Sequence, residues 1–493
     1  MVADTQRTPT PSRVSATLAE GRLGVPEVVF FALAGAAPLT VVAGVATAAY
    51  GITGITGIPV VYLATAVILG VFAVGYVAMS RHIVNAGAFY TYITHGLGRI
   101  PGVASANVAV LAYNMLQTGL YGGWGVVVAG YTGQRFGWTL NWWQWALIAW
   151  ACVAVLGLLR VKINSVVLAV LLVAEVLVAF VYDVVMVANP AGGTVTWTTL
   201  NPGQLMSAGI SAAFVIAITG FSGFEATVVL SEETRNPRTT TARATYLALG
   251  LTGALYALSA WAMSVGTGPD QIVARAGAES NELLFNLAGP HLPAFMGDTG
   301  HLLFATSLFA ALLAFHNMVA RYLFSLGREH VLPSALGMAS PRTGAPVVAS
   351  LVQSMIGAGV IALYATGGWD PFARMFFWLG VSGGLGLLLL MIACSVAVVG
   401  YFMRRPGDDN VWRRVIAPVT AAAALGLLLY FTLSQYDALL GVPAGHPAAW
   451  MFPAAFGAVA ALGALWALYL KMARPGVYAR IGLGAGEPVR VDL

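Results

Sequence analysis

Three carboxyl groups lie within stretches that are otherwise apolar, and one of them sits on a break in the pattern. Glu225 closely follows Gly220, Phe221, Ser222 and Gly223. Before it, residues 208–219 read as membrane-grade helix; beyond it, the chain turns polar and charged through 231–239. A helix that only anchors a chain has no use for such an interruption. A broken helix, by contrast, exposes backbone N–H and C=O groups that can hold a solute. A charge at the bilayer centre costs roughly 2.5–3.5 kcal/mol on the insertion scale, so such a group is kept where it faces a cavity or does work. Glu225 is therefore expected to order the broken segment, bind solute or gate; a structural carboxylate that only satisfies loop N–H groups is the competing reading. Glu175 lies within the apolar run 171–177. A carboxyl withdrawn from water can carry a proton at physiological pH, which makes Glu175 the candidate for proton coupling, against a static hydrogen bond to a neighbouring helix. Asp183, two turns further on, is expected at the membrane interface.

A second break matches the first. In Gly35-Ala36-Ala37-Pro38-Leu39-Thr40, Pro38 has no N–H, so the carbonyl of Ala34 should lose its helical donor. Alone this reads equally well as a proline kink. The pairing matters more: interrupted segments in corresponding positions of two halves are the best sequence pointer to a transporter site. Half-helix N-termini attract anions and half-helix C-termini attract cations. An amino acid zwitterion carries both charges on one carbon. The expected substrate-binding residues are thus Gly35, Ala36, Ala37, Pro38, Leu39 and Thr40, with Gly220, Phe221, Ser222, Gly223 and Glu225. Phe221, Tyr113, Gln117 and His316 are candidates for a gate or pocket wall, against plain packing and interhelical bonding.

The elements that must position these residues are membrane helices. Hydrophobic residues make up 59% of the 493 and charged residues 9%, where a soluble domain carries about 25% charged residues. Apolar windows place segments near 25–50, 57–80, 103–131, 142–159, 164–188, 208–232, 243–266, 298–325, 346–366, 371–402, 412–433 and 448–471. If all of them span, both termini share one side. Of the 24 Lys and Arg residues, all but Arg135, Arg275 and Arg374 fall on the N-terminal side. The positive-inside rule makes that side the cytoplasm. Topology thus explains the net charge of +5, and no nucleic-acid partner is implied. The expected organisation is a cytoplasmic tail over 1–24, one transmembrane domain over 25–472 and a cytoplasmic, loosely attached tail over 473–493. No cleavable signal is expected. Cys152 and Cys394 read as small core residues.

These residues resemble a known family. Phe221-Ser222-Gly223-Phe224-Glu225, with Glu232-Glu233-Thr234-Arg235-Asn236-Pro237-Arg238, looks like the sixth-helix signature of the amino acid–polyamine–organocation (APC) superfamily. Ser80-Arg81-His82, Ala86-Gly87-Ala88-Phe89-Tyr90 and Gly96-Leu97-Gly98 are similar to its loop between helices 2 and 3. Asn317 to Arg321, Gly327-Arg328-Glu329 and Leu332-Pro333 are similar to its eighth-helix exit. The resemblance runs in order over roughly 25–472. It implies an all-α fold of 12 transmembrane helices, a LeuT-type five-plus-five inverted repeat over about 25–188 and 208–402, with helices 11 and 12 added over about 412–471. It also places Glu175 near the position where some proton-coupled members carry a lysine in helix 5. Two departures stand out. Many members have a Gly-Ser-Gly-like turn where this chain has Gly35-Ala36-Ala37, and Thr241 stands where a proline is common.

The expected function is secondary amino acid transport by alternating access across the cell membrane, with proton-coupled uptake. A polyamine or organic-cation importer and an amino acid exchanger are the alternatives on the same fold. No Gly-x-x-x-x-Gly-Lys-Ser/Thr occurs, which argues against direct ATP coupling. No paired acids, metal-ligand spacing or activated nucleophile points to an enzyme, a metal or a cofactor. A transporter-like sensor would call for a soluble effector domain, and none is expected here.

Overall fold

The computed structural model of the protein describes residues 23–159, 161–207, 209–405 and 409–484; the side chains of 161–168 stand outside that description. Residues 1–22 of the expected tail over 1–24 and the end of the other tail, 485–493, also lie outside the described residues. The elements follow in chain order as α1 (Val25–Ala36), α2 (Pro38–Thr40), α3 (Thr47–Thr53), α4 (Ile58–Ser80), α5 (Ala88–Leu97), α6 (Arg99–Phe136) and α7 (Trp142–Leu156). Then come α8 (Val161–Ala188), α9 (Ile210–Phe221), α10 (Ala226–Val229), α11 (Pro237–Thr267), α12 (Ile272–Glu279), α13 (Leu283–Ala288) and α14 (Ala294–Arg328). The chain closes with α15 (Val347–Gly367), α16 (Leu379–Arg404), α17 (Ala417–Ser434), α18 (Tyr436–Leu440), α19 (Pro447–Ala473) and α20 (Pro475–Arg480). A π-helical turn, Val41–Ala46, joins α2 to α3, and another, Pro371–Trp378, leads into α16.

Among the described residues 10 helical stretches are long and apolar enough to cross a membrane. The other two expected segments coincide with α6, which is long but less apolar, and α7, which has 15 residues. The protein is a multi-pass, all-helical membrane protein. Helices α6 and α14 outrun their apolar windows at both ends, because backbone hydrogen bonding continues helically into the polar boundary after hydropathy has fallen. Start and stop chemistry is local. Asn141 and Gln144 form a capping box on α7, with the Asn141 N–H donating to Gln144 Oε1 at 2.8 Å. Asp370 Oδ1 accepts from the Phe372 and Ala373 N–H groups at the second π-turn.

The interior is built around the two interrupted stretches. Val25–Thr53 and Ile210–Val229 are each 89% buried over their most apolar windows, against 28% for Trp412–Ser434 and 22% for Pro447–Ala473. The broken helices therefore form the centre, and the two C-terminal long helices lie outside. Four contacts lock one end of the bundle. Arg321 Nε donates to Glu233 Oε1 at 2.8 Å, with both side chains buried. Arg328 grips Glu232 with two nitrogens at 3.0 and 2.8 Å. Glu232 also accepts the Ala86 N–H, and Leu23 pairs by backbone with Glu233 and Arg235. The expected looseness of the C-terminal tail is corrected up to residue 484. Helix α20 packs back on the bundle, and Glu329 Oε2 and Oε1 accept the N–H groups of Gly482 at 2.8 Å and Gly484 at 3.0 Å. Ile481 is buried, and His95 Nε2 lies 2.9 Å from the Gly482 carbonyl.

Candidate functional site

The two breaks touch. Ala37 takes the left-handed conformation, with φ of 44°, and stops α1. Its N–H donates to the carbonyls of Leu33, at 2.9 Å, and Ala34, at 3.2 Å. The Ala34 carbonyl is thus rescued by a tighter turn rather than left free. The carbonyl that escapes is that of Ala36, which accepts the Tyr256 hydroxyl at 2.9 Å. In the other break, Gly223 has φ of 115°, a conformation that L side chains rarely adopt. A Cβ there would stand 2.7 Å from the Ala36 nitrogen and 2.9 Å from Gly35 Cα. Backbone meets backbone, and only glycine allows it.

Beside this contact lies a cavity of about 70 Å³. Gly35, Ala36, Ala37 and Thr40 form one wall, and Ile216 and Thr219 of α9 another. Leu116 and Leu120 of α6, Phe315 of α14, and Phe376, Phe377 and Gly380 of the second π-turn and α16 complete it. No charged side chain among the described residues lines it. The Thr219 hydroxyl donates to the Val215 carbonyl, whereas Thr40 Oγ1 is buried without a partner among the described residues. Thr40 therefore brings an unspent hydroxyl to the cavity wall.

The remaining residues singled out in the sequence take places around this cavity. Pro38 and Leu39 lie behind its wall, buried. Glu175 lies against the Leu39 backbone and Ser307, and Ser307 Oγ accepts the Thr40 N–H at 3.2 Å. Its Oε2 has no partner. Glu225 does not line the cavity: Oε2 accepts the Gly223 N–H and Oε1 the Tyr113 hydroxyl, both at 3.0 Å. Gly220 and Ser222 stand outside the cavity too, Ser222 with an unpartnered Oγ. Phe221 packs against Tyr256 and Tyr62, at 5.5 and 6.3 Å between ring centres, and does not line the cavity. Gln117 binds the Tyr121 hydroxyl and accepts from Gln353. His316 joins α6 to α15, with Nε2 2.8 Å from Ser350 Oγ and Nδ1 3.4 Å from Gln117 Nε2. Asp183 is buried in the protein and accepts the Ser259 hydroxyl at 2.7 Å. Cys394 is buried as expected, but Cys152 is exposed on the helix surface.

Sequence reading missed Phe315, Thr219, Phe376 and Phe377. Helices this uniformly apolar present no polar face from which to read the inward side. A signal did exist in Gly380, Gly383, Gly384 and Gly386, since small residues mark close helix approach. Among the described residues no cluster of His, Cys, Asp and Glu could hold a metal ion.

Two broken helices meeting beside a cavity, inside a multi-pass helical bundle, are an arrangement that membrane transporters use. Residues 23–465 match the amino acid permease family, and the chain belongs to it. Three uncharacterized transporters, one from Mycobacterium bovis and two from strains of Mycobacterium tuberculosis, are each 35% identical to it over 164 residues. That stretch is 33% of this chain, and it spans only about a third, 34%, of each of those relatives.

Proposed function

We propose that the protein is a secondary amino acid transporter of the cell membrane, working by alternating access as proton-coupled uptake. In this reading α6 and α7 cross the membrane besides the 10 longer apolar stretches, giving 12 spans with both termini in the cytoplasm. The first ten spans form the LeuT-type inverted repeat, and the cavity at Gly35–Thr40 is the solute site.

The observation that carries the reading is the chemistry of that cavity. It offers backbone and one free hydroxyl from a broken helix, enclosed by apolar and aromatic side chains, with no charged side chain. A zwitterion brings its own opposite charges and suits half-helix ends. Its side chain would be small and apolar, to lie against Phe315, Phe376 and Ile216. A polyamine would need acidic partners in the site, and Glu225 is already engaged by Gly223 and Tyr113. Membership of the amino acid permease family supports the same solute class.

The test is counterflow in proteoliposomes, joined to a thermal-shift screen of the purified protein against amino acids and polyamines. A transported ligand raises the apparent melting temperature by mass action and exchanges across the bilayer. Small neutral amino acids should do both. A shift with polyamines alone would overturn the solute class, and binding without flux would indicate a sensor.

A further inference from the structure

A second concave surface lies away from the transport cavity, at the end of the bundle that carries most of the basic residues. Arg81 and His82 follow α4, Arg238 and Arg243 belong to the start of α11, and Asp409 and Arg413 precede α17. Together they line a groove of about 830 Å³. Among the described residues, four guanidiniums there face one carboxylate. Asp409 is shared between Arg413 at 3.5 Å, Arg81 at 3.8 Å and His82 Nε2 at 3.0 Å. Arg238 and Arg243, both exposed, have no ion-pair or hydrogen-bond partner among the described residues.

Like charges gathered in this way repel one another, and the fold gains nothing from them unless an anion sits between them. Guanidiniums are suited to anions with several oxygens, phosphate above all. The flanks indicate which phosphate. Tyr246 and Leu247, one turn beyond Arg243 on α11, are exposed, as are Trp412, Val415 and Ile416 at the start of the neighbouring helix. In a membrane protein these side chains meet acyl chains. The groove therefore lies where the helix surface changes from charged to apolar, the depth at which a lipid headgroup sits. Basic pockets between helices at this level bind anionic headgroups. A soluble phosphate would use the guanidiniums and leave the apolar flank unused.

We propose that the groove between α4, α11 and α17 is a binding site for an anionic phospholipid. The arginines hold its phosphate, and its acyl chains run along the exposed faces of α11 and α17. The lipid would tie α4 to α11 at the start of the second half of the chain, and both to a helix outside the central bundle. This inference does not depend on which solute is carried.

The test is native mass spectrometry of the full chain in neutral detergent, titrated with phosphatidylglycerol, phosphatidylcholine or inorganic phosphate. Wild type should retain phosphatidylglycerol ahead of phosphatidylcholine. Combined Arg238→Gln, Arg243→Gln and Arg413→Gln should weaken that retention by at least about tenfold. Asp409→Asn removes a charge that opposes the phosphate and should tighten it, which a misfolded variant would not do. Lys471→Gln with Arg474→Gln, exposed basic residues outside the groove, should leave it unchanged. Equal retention of the two lipids would overturn the proposal. So would unaltered retention in the triple variant, loss in the control pair, or displacement of bound lipid by inorganic phosphate.

Discussion

A carboxyl group buried in an apolar bundle persists only if something replaces its lost hydration, and the two central glutamates differ in how far this is done. Both oxygens of Glu225 accept a hydrogen bond, and its partners, Gly223 and Tyr113, keep the broken segment in place. Among the described residues Glu175 leaves one oxygen without a partner, and it lies beside the first helix break at Leu39 and beside α14 at Ser307. A group so placed can pass a change in its proton occupancy to the wall of the cavity. Glu175→Gln should abolish uptake driven by an imposed pH gradient in proteoliposomes while exchange persists; uptake that still follows the gradient would sink the coupling role. Gly223→Ala tests the contact between the breaks. Its strain is about 1–3 kcal/mol from the backbone conformation alone, and the added carbon would press on the Ala36 nitrogen. Solute-induced thermal shift should vanish and the melting temperature should fall, whereas Gly250→Ala, which meets nothing within 4 Å, should change neither. Equal behaviour of the two variants would mean that the close approach is not required.

At the scale of elements, what the sequence made legible was the exception to helical continuity. Gly35, Pro38 and Gly223 announce breaks because each alters backbone freedom or hydrogen bonding locally, whatever surrounds it. Pairings were not legible. Tyr113 and Glu225 were each noticed, but their hydrogen bond depends on how α6 rotates against α10, and no local signal encodes that. Phe315 was hidden for the same reason, being one aromatic in a helix apolar on every side. Short α5 was also missed, although it anchors the returning C-terminal segment. There His95 provides a pH test. Burial holds its imidazole below the ordinary 6.5, and the neighbouring Arg405 and Arg99 add to this, while the Gly482 carbonyl pulls the other way. A depressed histidine contributes stability above its unfolded value, and that contribution is lost as pH falls through the folded one. Between about pH 7.5 and about pH 5.5 the melting temperature of wild type should therefore fall more than that of His95→Gln, which keeps a donor for Gly482. Burial shifts the Glu329 carboxyl upward, the opposite direction, but both proteins carry it, so the difference isolates His95. Parallel melting curves would show that His95 does not titrate against the docked segment.

For the whole molecule, the distribution of charge makes the topology testable. Both native cysteines can be replaced, and new ones introduced at Thr139, between α6 and α7, and at Thr343, between α14 and α15. With both termini in the cytoplasm, a membrane-impermeant maleimide should label Thr139→Cys on intact cells and Thr343→Cys only after permeabilisation. The reverse pattern would invert the molecule, and labelling of both on intact cells would mean that a span had been miscounted. Finally, the C-terminal segment docked on α5 and Glu329 bears on how the protein is made. Gly482 meets the Tyr90 hydroxyl across 392 positions of chain. At about 5–20 residues per second of synthesis, Tyr90 waits on the order of 20–80 s for that partner. Until then one face of the bundle keeps a Glu329 carboxyl short of two of its N–H donors and an open seat for Ile481. A ribosome product that stops short of Gly482 would carry α1 to α20 and still display that unfilled seat, a mark by which a cell could tell a chain that lacks the docked segment from one that has it.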